Sequence, residues 1–345
     1  MKALTLTALG GIDALRVQDI APPRLGGADE VLVRVRAAAL NHLDLFVLRG
    51  LPGVSYGFPH IMGADGAGIV EAAGPEVTRY RLGDRVMINP GISCNSCDTC
   101  LQGEQPLCPS YRLLGEHLPG TIAEYVVVPS RNLALVPEGM PWEQAAAFSL
   151  VALTAWRMLV TRARLRPGET VLIWGIGGGV ALAALQIAKL LGASTIVTSS
   201  SEAKLAAAKA LGADVVLNHH TSDVPQEVRR LTERRGVEVV VDNVGEKTWE
   251  RSLRCLGRRG RLVTCGATSG PMCATDVRKL FWHQWEILGS TMGSHEEYRQ
   301  ITRLAAQGRL WPVIDEVVPL AEARRAFERL EQGAQMGKLV IEVPL

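Results

Sequence analysis

An apolar strand, a glycine-rich turn and a helix follow one another in residues 171–191, which read VLIWGIGGGVALAALQIAKLL. The aliphatic run up to Trp174 predicts a buried strand, and the stretch from Gly179 to Leu191 predicts a helix. The glycines between them allow a tight turn in which the backbone can approach a pyrophosphate, and the helix N-terminus supplies free N–H donors. This combination is typical of a dinucleotide-binding βαβ unit.

The turn departs from the strict Gly-x-Gly-x-x-Gly pattern because Val180 holds the last position. The sequence fits Gly175-x-x-Gly178-x-x-Ala181 instead, with alanine as the small residue where helix meets strand. We therefore assign Gly175, Gly178, Gly179 and Val180 to cofactor binding. An ordinary strand-to-helix turn is the alternative. A second strand that ends about 20 residues later, where the ribose contact belongs, argues against it.

The end of that second strand, Thr198-Ser-Ser-Ser201, carries no acidic residue. An Asp or Glu there would bind the ribose 2′-hydroxyl and repel a 2′-phosphate. The hydroxyls of Ser199 and Ser200 and the ammonium of Lys204 suit a phosphate, so the sequence favours NADPH and leaves NADH possible. Alternatively, Ser199-x-x-Glu202 is only a helix capping box, and Glu202 beside a 2′-phosphate would be unfavourable.

Strands and helices alternate through the second half of the chain, which predicts βαβ units and a parallel sheet. The first half reads as short strands with turns, and Lys338–Val343 is a strand that rejoins it. We predict an α/β protein with a doubly wound parallel Rossmann domain at 136–292, inserted into a β-rich domain of residues 1–135 and 293–345. The further predicted strands of the inserted domain are 195–198, 215–217, 237–241, 261–264 and 287–291.

Four of the seven cysteines, Cys94, Cys97, Cys100 and Cys108, crowd into one loop at about residues 90–112. Four soft thiolates at this density predict a closed, tetrahedral structural zinc site with no position left for water. An iron–sulfur cluster fits less well because the last gap has seven residues where the ferredoxin motif has three. Unliganded cysteines are the remaining alternative.

The charge balance excludes several classes of partner. The 37 basic and 35 acidic residues are mixed along the chain and leave a net charge of only +2. Without a basic block, nucleic acid and anionic membranes are poor partners. The N-terminus does not resemble a signal peptide. The uncharged stretch Val171–Ala188 contains four glycines, which suits a core better than a bilayer. We expect a cytosolic protein.

These motifs together resemble the medium-chain dehydrogenase/reductase superfamily over essentially the whole chain. The cysteine spacing is that of the family's structural-zinc lobe, and the resemblance implies that the β-rich domain is the GroES-like catalytic domain. The other shared segments are Gly63-Ala-Asp-Gly66-x-Gly68, Gly83-Asp-Arg-Val86, Gly120-Thr-Ile-Ala-Glu-Tyr125 and Gly266.

The zinc alcohol dehydrogenases of this family carry a Cys-His-Thr/Ser-Asp segment, a Gly-His-Glu segment and a further cysteine. Here the matching residues read Asn41-His42-Leu43-Asp44, Gly63-Ala64-Asp65 and Leu150. All three usual ligands of the catalytic zinc are therefore replaced, and Leu43 removes the hydroxyl of the proton relay. The Asn41 pattern is similar to the zinc-free quinone and enone reductases, which usually lack the cysteine lobe. A weak metal at Asp65 or Glu116-His117 stays an alternative.

The resemblance implies a site of known layout. It places Asn41 beside the nicotinamide and His42 near the cofactor phosphates, with Asp65 as a further catalytic candidate. Thr154, Asn243, Gly266 and Ala267 would line the nicotinamide pocket, and His219 falls near the adenine end.

Without a Lewis acid, a conjugated C=C or a quinone is easier to reduce than a simple ketone, because the charge delocalises onto the carbonyl oxygen. We therefore expect NADPH-dependent reduction of an enone or quinone by a homodimer or homotetramer. A zinc alcohol dehydrogenase or aldehyde reductase with unusual ligands and a non-catalytic NADPH-binding sensor are the rival hypotheses.

Overall fold

A computed structural model describes residues 1–344. Contacts divide the chain into two compact units, one formed by Met1–Val151 with Gly293–Leu345 and the other by Ala152–Met292. The inserted unit ends at the residue that the sequence indicated. Residues 136–151 pack with the first unit, whereas the sequence analysis assigned them to the nucleotide-binding domain.

Strands and helices are numbered here in chain order. The strands are β1 Lys2–Leu6, β2 Leu15–Asp19, β3 Glu30–Ala39, β4 His60–Ile61, β5 Asp65–Ala73, β6 Arg85–Ile88, β7 Gly91–Ile92, β8 Arg112–Leu113, β9 Tyr125–Pro129, β10 Leu133–Leu135, β11 Thr170–Ile173, β12 Ser194–Ser199, β13 Val215–Asn218, β14 Val237–Val241, β15 Leu256–Thr264, β16 Glu286–Gly289, β17 Ile314–Pro319 and β18 Lys338–Glu342. The helices are α1 His42–Arg49, α2 Asp98–Leu101, α3 Trp142–Trp156, α4 Gly179–Leu190, α5 Glu202–Ala210, α6 Val224–Leu231, α7 Trp249–Cys255, α8 Val277–His283, α9 His295–Ala306 and α10 Ala323–Glu331.

The first unit is built on a seven-stranded sheet with the order β10-β6-β5-β3-β18-β17, in which β9 also pairs with β3. Alternate residues of β3, among them Val31, Val33 and Val35, are buried, as a strand with one face on a core requires. The C-terminal strand β18 pairs antiparallel with β3, Val340 lying opposite Ala39. The C-terminal strand therefore belongs to the same sheet as strands β3, β5, β6, β9 and β10 of the first 135 residues.

The second unit contains a six-stranded sheet with the order β13-β12-β11-β14-β15-β16, and every pair in it is parallel. Apart from the partly buried Thr170 and Glu238, the residues of the central strands β11 and β14 are apolar and buried, as in parallel sheets that helices cover on both faces. Counted from β11, the order is 3-2-1-4-5-6, that of dinucleotide-binding folds. The predicted α/β fold class is confirmed.

One helical stretch, Trp142–Arg162, is long and apolar enough to cross a membrane by length and composition alone. It consists of α3 and a π-helical turn at Arg157–Arg162. Because 72% of its apolar window is buried inside the fold, it has the burial of a core helix.

Candidate functional site

The segment Gly63-Ala64-Asp65 is held by close backbone contact with the chain around Gly120. A Cβ on Gly120 would lie 2.2 Å from the carbonyl oxygen of Met62, so only glycine allows this approach. The Thr121 backbone N–H donates to the carbonyl oxygen of Gly63 (2.9 Å), and the Thr121 hydroxyl donates to that of Asp65 (2.6 Å). These contacts fix the position of Asp65 at the start of β5.

The Asp65 side chain is fully buried at 0% exposure, and both of its oxygens are occupied. Oδ1 accepts from the Leu150 backbone N–H at 2.8 Å. Oδ2 accepts from the Asn41 amide at 3.0 Å and from the Lys338 ammonium at 2.9 Å. The Lys338 side chain is only 3% exposed. We call Asn41, Asp65, Leu150 and Lys338 the Asp65 cluster; its one cation neutralises its one carboxylate, which makes its burial tolerable.

The amide of Asn41 has only one orientation that satisfies its neighbours. A lysine ammonium can only donate, so the amide oxygen must face Lys338, at 2.6 Å. The amide nitrogen then faces Asp65 and, at 3.4 Å, the carbonyl oxygen of Ala39. Every polar atom of this side chain therefore has a partner, and a direct hydrogen bond from it to a substrate would have to replace one of them.

Asn41 is also the N-cap of α1, and its backbone N–H donates to Asp44 Oδ2 at 2.7 Å. Burial raises the pKa of Asp44 to about 7. Burial lowers the pKa of His42, and the charges of Lys338 and Arg49 lower it further, which favours the neutral form of its ring. The ring nitrogens of His42 have no protein partner among residues 1–344, which leaves them available to a ligand.

The residues present do not fit a catalytic zinc. The side chains of Ala64 and Leu150 offer no ligand atom, and both oxygens of Asp65 are engaged. At Glu116-His117, the other alternative metal site, His117 Nδ1 lies 3.6 Å from the Glu116 carboxylate and 3.3 Å from the Leu113 backbone nitrogen. Within the described part of the chain, the four cysteines are the one group of three or more potential ligands.

The four cysteines of the lobe are arranged as a tetrahedral metal site requires. All four Sγ atoms lie within 4.8 Å of one another. The Sγ of Cys94 lies 3.9 Å from that of Cys100 and 3.5 Å from that of Cys108. Sulfurs around one zinc with bonds of about 2.3 Å would be roughly 3.8 Å apart. The backbone N–H groups of Ser96 and Cys97 lower the pKa of Cys94 to about 5, as a metal-binding thiolate needs.

The glycine-rich turn connects β11 to α4 as the sequence indicated. Gly175 and Gly177 have positive φ angles of 68° and 135°. Gly178 is the N-cap of α4, and no side chain caps this end. The first N–H groups of the helix are therefore open to an anion.

The end of β12 contains the residues predicted to select the cofactor. Ser199 is buried and its hydroxyl accepts from the Ser201 backbone N–H (3.1 Å), whereas Ser200 is exposed. The cap of α5 is Ser201, whose hydroxyl accepts from the Lys204 backbone N–H. The alternative that Ser199 and Glu202 form a capping box is wrong, because the helix begins one residue after Ser201. The Glu202 carboxylate accepts from the Asn218 amide at 2.5 Å.

The other predicted cofactor residues lie mostly at the same edge of the sheet. Asn243 follows β14, and its carbonyl oxygen accepts from the Thr268 backbone N–H in the loop that contains Gly266 and Ala267 after β15. His219 follows β13 and its Nδ1 lies 3.4 Å from the Thr198 hydroxyl. Because carboxyl ends of parallel strands share one edge, the strand order brings these positions together.

Thr154 is a buried residue of α3, with its hydroxyl 3.8 Å from the sulfur of Met292. Of the predicted nicotinamide-pocket residues it is the one that a helix supplies, and among residues 1–344 the only partner of its hydroxyl is that thioether.

Sequence reasoning missed Lys338. The available signal was a lysine at the head of an otherwise apolar terminal strand, since a lysine buried in a core needs an acidic partner. Asp65 was the candidate partner, but 273 residues of chain separate the two.

Two family descriptions match the chain. "Alcohol dehydrogenase GroES-like domain" covers residues 27–138, and "Zinc-binding dehydrogenase" covers residues 179–307. The chain is 34% identical to a quinone oxidoreductase of Pseudomonas aeruginosa, over 99% of each protein.

Two solved structures are also similar. An NAD-dependent alcohol dehydrogenase is 46% identical, with a TM-score of 0.95 over 100% of both chains. A 2-octenoyl-CoA carboxylase reductase in complex with NADP and 2-octenoyl-CoA is 30% identical, with a TM-score of 0.90 over 99% of this chain and 87% of the other. The two family matches fall in the same order along the chain as the β-rich and parallel-sheet units, and the relatives extend over both. The chain therefore belongs to the medium-chain dehydrogenase/reductase superfamily and is an oxidoreductase.

Proposed function

We propose that this protein uses NADPH to reduce a C=C bond conjugated to a carbonyl group, in an enone, an enoyl thioester or a quinone, without a catalytic metal. The observation that carries the proposal is the Asp65 cluster. Its carboxylate is saturated by Asn41, Leu150 and Lys338, and the places of the three zinc ligands are taken by Asn41, Ala64 and Leu150.

The proposed chemistry follows from residues that do not fit a catalytic zinc, since Ala64 and Leu150 offer no ligand atom and Asp65 is engaged. NADPH supplies a hydride when it is bound. Adding hydride to the β-carbon of a conjugated acceptor spreads the negative charge onto the carbonyl oxygen, which then needs hydrogen-bond donors and a proton. Reducing a simple ketone concentrates the charge on one alkoxide, for which a metal ion is the usual stabiliser. In this proposal the Asp65 cluster fixes the chain around Asn41, and the neutral His42 binds the cofactor through its free ring nitrogen.

The relatives support the acceptor class in part. One is named as a quinone oxidoreductase, and another was solved with an enoyl thioester and NADP. The relative named as an NAD-dependent alcohol dehydrogenase favours the second candidate, an alcohol dehydrogenase with unusual ligands. Metal analysis separates the two, since one zinc per chain supports our proposal and two support the alternative. A non-catalytic sensor would bind NADPH but would not oxidise it, whichever acceptor is offered.

We expect NADPH to bind more tightly than NADH, because β12 ends in hydroxyl side chains and not in an acidic residue that would bind the ribose 2′-hydroxyl. Replacing Lys204 by alanine should weaken NADPH binding about tenfold to a hundredfold, as for loss of a charge-assisted hydrogen bond, and leave NADH binding unchanged. Titration of both cofactors measures this. Lys209→Ala in the last turn of the same helix, where the ammonium donates to the backbone carbonyl oxygen of Asp214, is the control. Tighter binding of NADH by the unaltered protein would contradict the proposal.

We also propose that the cysteine lobe holds one structural zinc. Replacing Cys97 by serine should then release the metal and lower the melting temperature, while turnover persists in the protein that stays folded, because the ion stabilises a loop. Cys273→Ser, which alters a thiol outside the lobe, should change neither quantity. Zinc content and thermal melting measure the effect. Unchanged melting of a zinc-free Cys97→Ser protein would contradict the assignment.

The proposal includes a homodimer or homotetramer in the cytosol. Helix α8 exposes Val277, Phe281 and Trp282, with 64%, 65% and 69% of each residue accessible, and β16, the next strand along the chain, is an edge strand. Exposed apolar side chains and an unpaired strand edge are both suited to contact with a second copy. Four thiolates kept for a metal fit a reducing compartment. Light scattering that gives the mass of a single 37.2 kDa chain would contradict the oligomer.

A further inference from the structure

Two arginine-rich turns of the second unit lie in backbone contact. They read Glu-Arg-Arg-Gly at residues 233–236 and Gly-Arg-Arg-Gly at residues 257–260; we call them the arginine turns. A Cβ on Gly236 would lie 2.5 Å from the Gly257 nitrogen, and one on Gly257 would lie 2.6 Å from the carbonyl oxygen of Arg235. Only glycines allow the two turns to approach so closely.

The second turn bulges out of β15. The pairing of β14 with β15 moves from Val237 opposite Leu256 directly to Val239 opposite Arg261, so residues 257–260 leave the ladder. Such bulges redirect side chains at the end of a strand pair. Here the bulge faces a turn that also presents arginines.

The arginine turns border a cavity of about 620 Å³ whose lining carries a large excess of positive charge. Its only acidic side chain is Glu238, whose carboxylate already accepts from the Thr170 backbone N–H at 2.8 Å. No ion pair joins any lining cation to a carboxylate within residues 1–344. Like charges gathered without counter-charges repel one another and attract anions. The cations are Arg229, Arg234, Arg235, Arg254, Arg258 and Lys279.

An aromatic wall closes one side of the same cavity. The indole N–H of Trp285 donates to the carbonyl oxygen of Gly257 at 2.8 Å, which ties the ring to the second arginine turn. His283 stacks on Trp285, with ring centroids 5.0 Å apart and an interplanar angle of 24°. Both rings line the cavity, whose volume is in the range of small-molecule sites.

This cavity lies at the opposite edge of the sheet from the glycine-rich turn. It surrounds the amino end of β14, whereas Gly175 to Gly178 follow the carboxyl end of β11. A strand of five residues separates the two edges by about 16 Å at the usual rise per residue. A dinucleotide on the glycine-rich turn would therefore leave the arginine turns free.

We propose that this cavity is a second binding site, for an anion that carries two or more linked phosphate groups. Several guanidinium groups around one cavity suit such a ligand, because each can donate two parallel hydrogen bonds to a phosphate. The phosphates can belong to inorganic polyphosphate or to a nucleoside polyphosphate, and the aromatic wall would distinguish the second by contact with its base. This site goes beyond the proposed reductase activity and does not depend on it.

The test is calorimetric titration of the full-length protein, with and without saturating NADPH, with tripolyphosphate and separately with ATP. The altered protein is Arg234→Gly with Arg258→Gln. Arg234 has a positive φ of 68°, so glycine removes the guanidinium without adding strain. The matched control is Arg259→Gly with Arg278→Gln. Arg259 has the same left-handed backbone, with φ 59°, and neither control residue lines the cavity.

We expect both anions to bind the unaltered protein, less tightly as salt concentration rises. The Arg234/Arg258 double variant should bind them about a hundredfold more weakly, or roughly tenfold for each lost charge-assisted contact, while the control binds as before. Tighter binding of ATP than of tripolyphosphate would identify a nucleotide site, and equal binding a site for the phosphate chain. Absence of binding, equal loss in the control, or binding only without NADPH would overturn the proposal.

Discussion

Cyclohexenone should be reduced about a thousandfold more efficiently than cyclohexanone when both are offered with NADPH. The two compounds share a carbon skeleton and a carbonyl group, so the comparison isolates the conjugated double bond. A thousandfold ratio of kcat/KM corresponds to about 4 kcal/mol of transition-state stabilisation, within the contribution expected of a catalytic metal. The product should be cyclohexanone, because hydride reaches the β-carbon, and allylic alcohol should be at most a trace.

Chelation gives an independent measurement. Incubation with a chelator that leaves one zinc per chain should not change the rate of enone reduction, since we assign the remaining ion to the cysteine lobe. Cyclohexanol should be oxidised very poorly in the reverse direction for want of a group to stabilise the alkoxide. Efficient oxidation of cyclohexanol that the chelator abolishes would refute the metal-free mechanism, and a second metal would then have to be sought near Asp65 or Glu116.

The parallel-sheet unit could be predicted from the sequence because its signals are local. An apolar run followed by glycines and then by a helix fixes a strand, a turn and a helix within 21 residues, and the structure has β11 and α4 there. The residue that caps α5 is Ser201, two residues after the Ser199 of the alternative capping box, since several consecutive serines can cap equally well by composition. Such boundary errors do not alter the topology.

The charged clusters could not be predicted in the same way because their members are remote in sequence. Asn41 and Lys338 are 297 residues apart and meet only because β18 pairs with β3. The two arginine turns meet through glycine contacts that no periodicity indicates. Local patterns specify strands and turns, whereas a buried ion pair depends on the sheet order that places two strands side by side.

Replacing Lys338 by methionine should destabilise the protein strongly. Methionine keeps much of the apolar stem but removes the only cation of the Asp65 cluster and leaves a fully buried carboxylate without its counter-charge. Removing one partner of a buried ion pair lowers the free energy of unfolding by about 3–5 kcal/mol. For a unit of this size the melting temperature should fall by roughly 10 °C, at 2–4 °C per kcal/mol. Calorimetry and urea unfolding measure both quantities.

The same substitution at an exposed ion pair is the control. Lys2 lies 3.4 Å from Asp19, and both side chains are largely accessible to water. Lys2→Met should therefore cost less than about 1 kcal/mol. If the cost at Lys338 arises from an unpaired charge, Asp65→Asn in the Lys338→Met background should restore part of the stability, so the double variant is more stable than the sum of the single losses implies. Equal losses at Lys2 and Lys338, or additive losses at Asp65 and Lys338, would mean that the cluster is not held together by its charge.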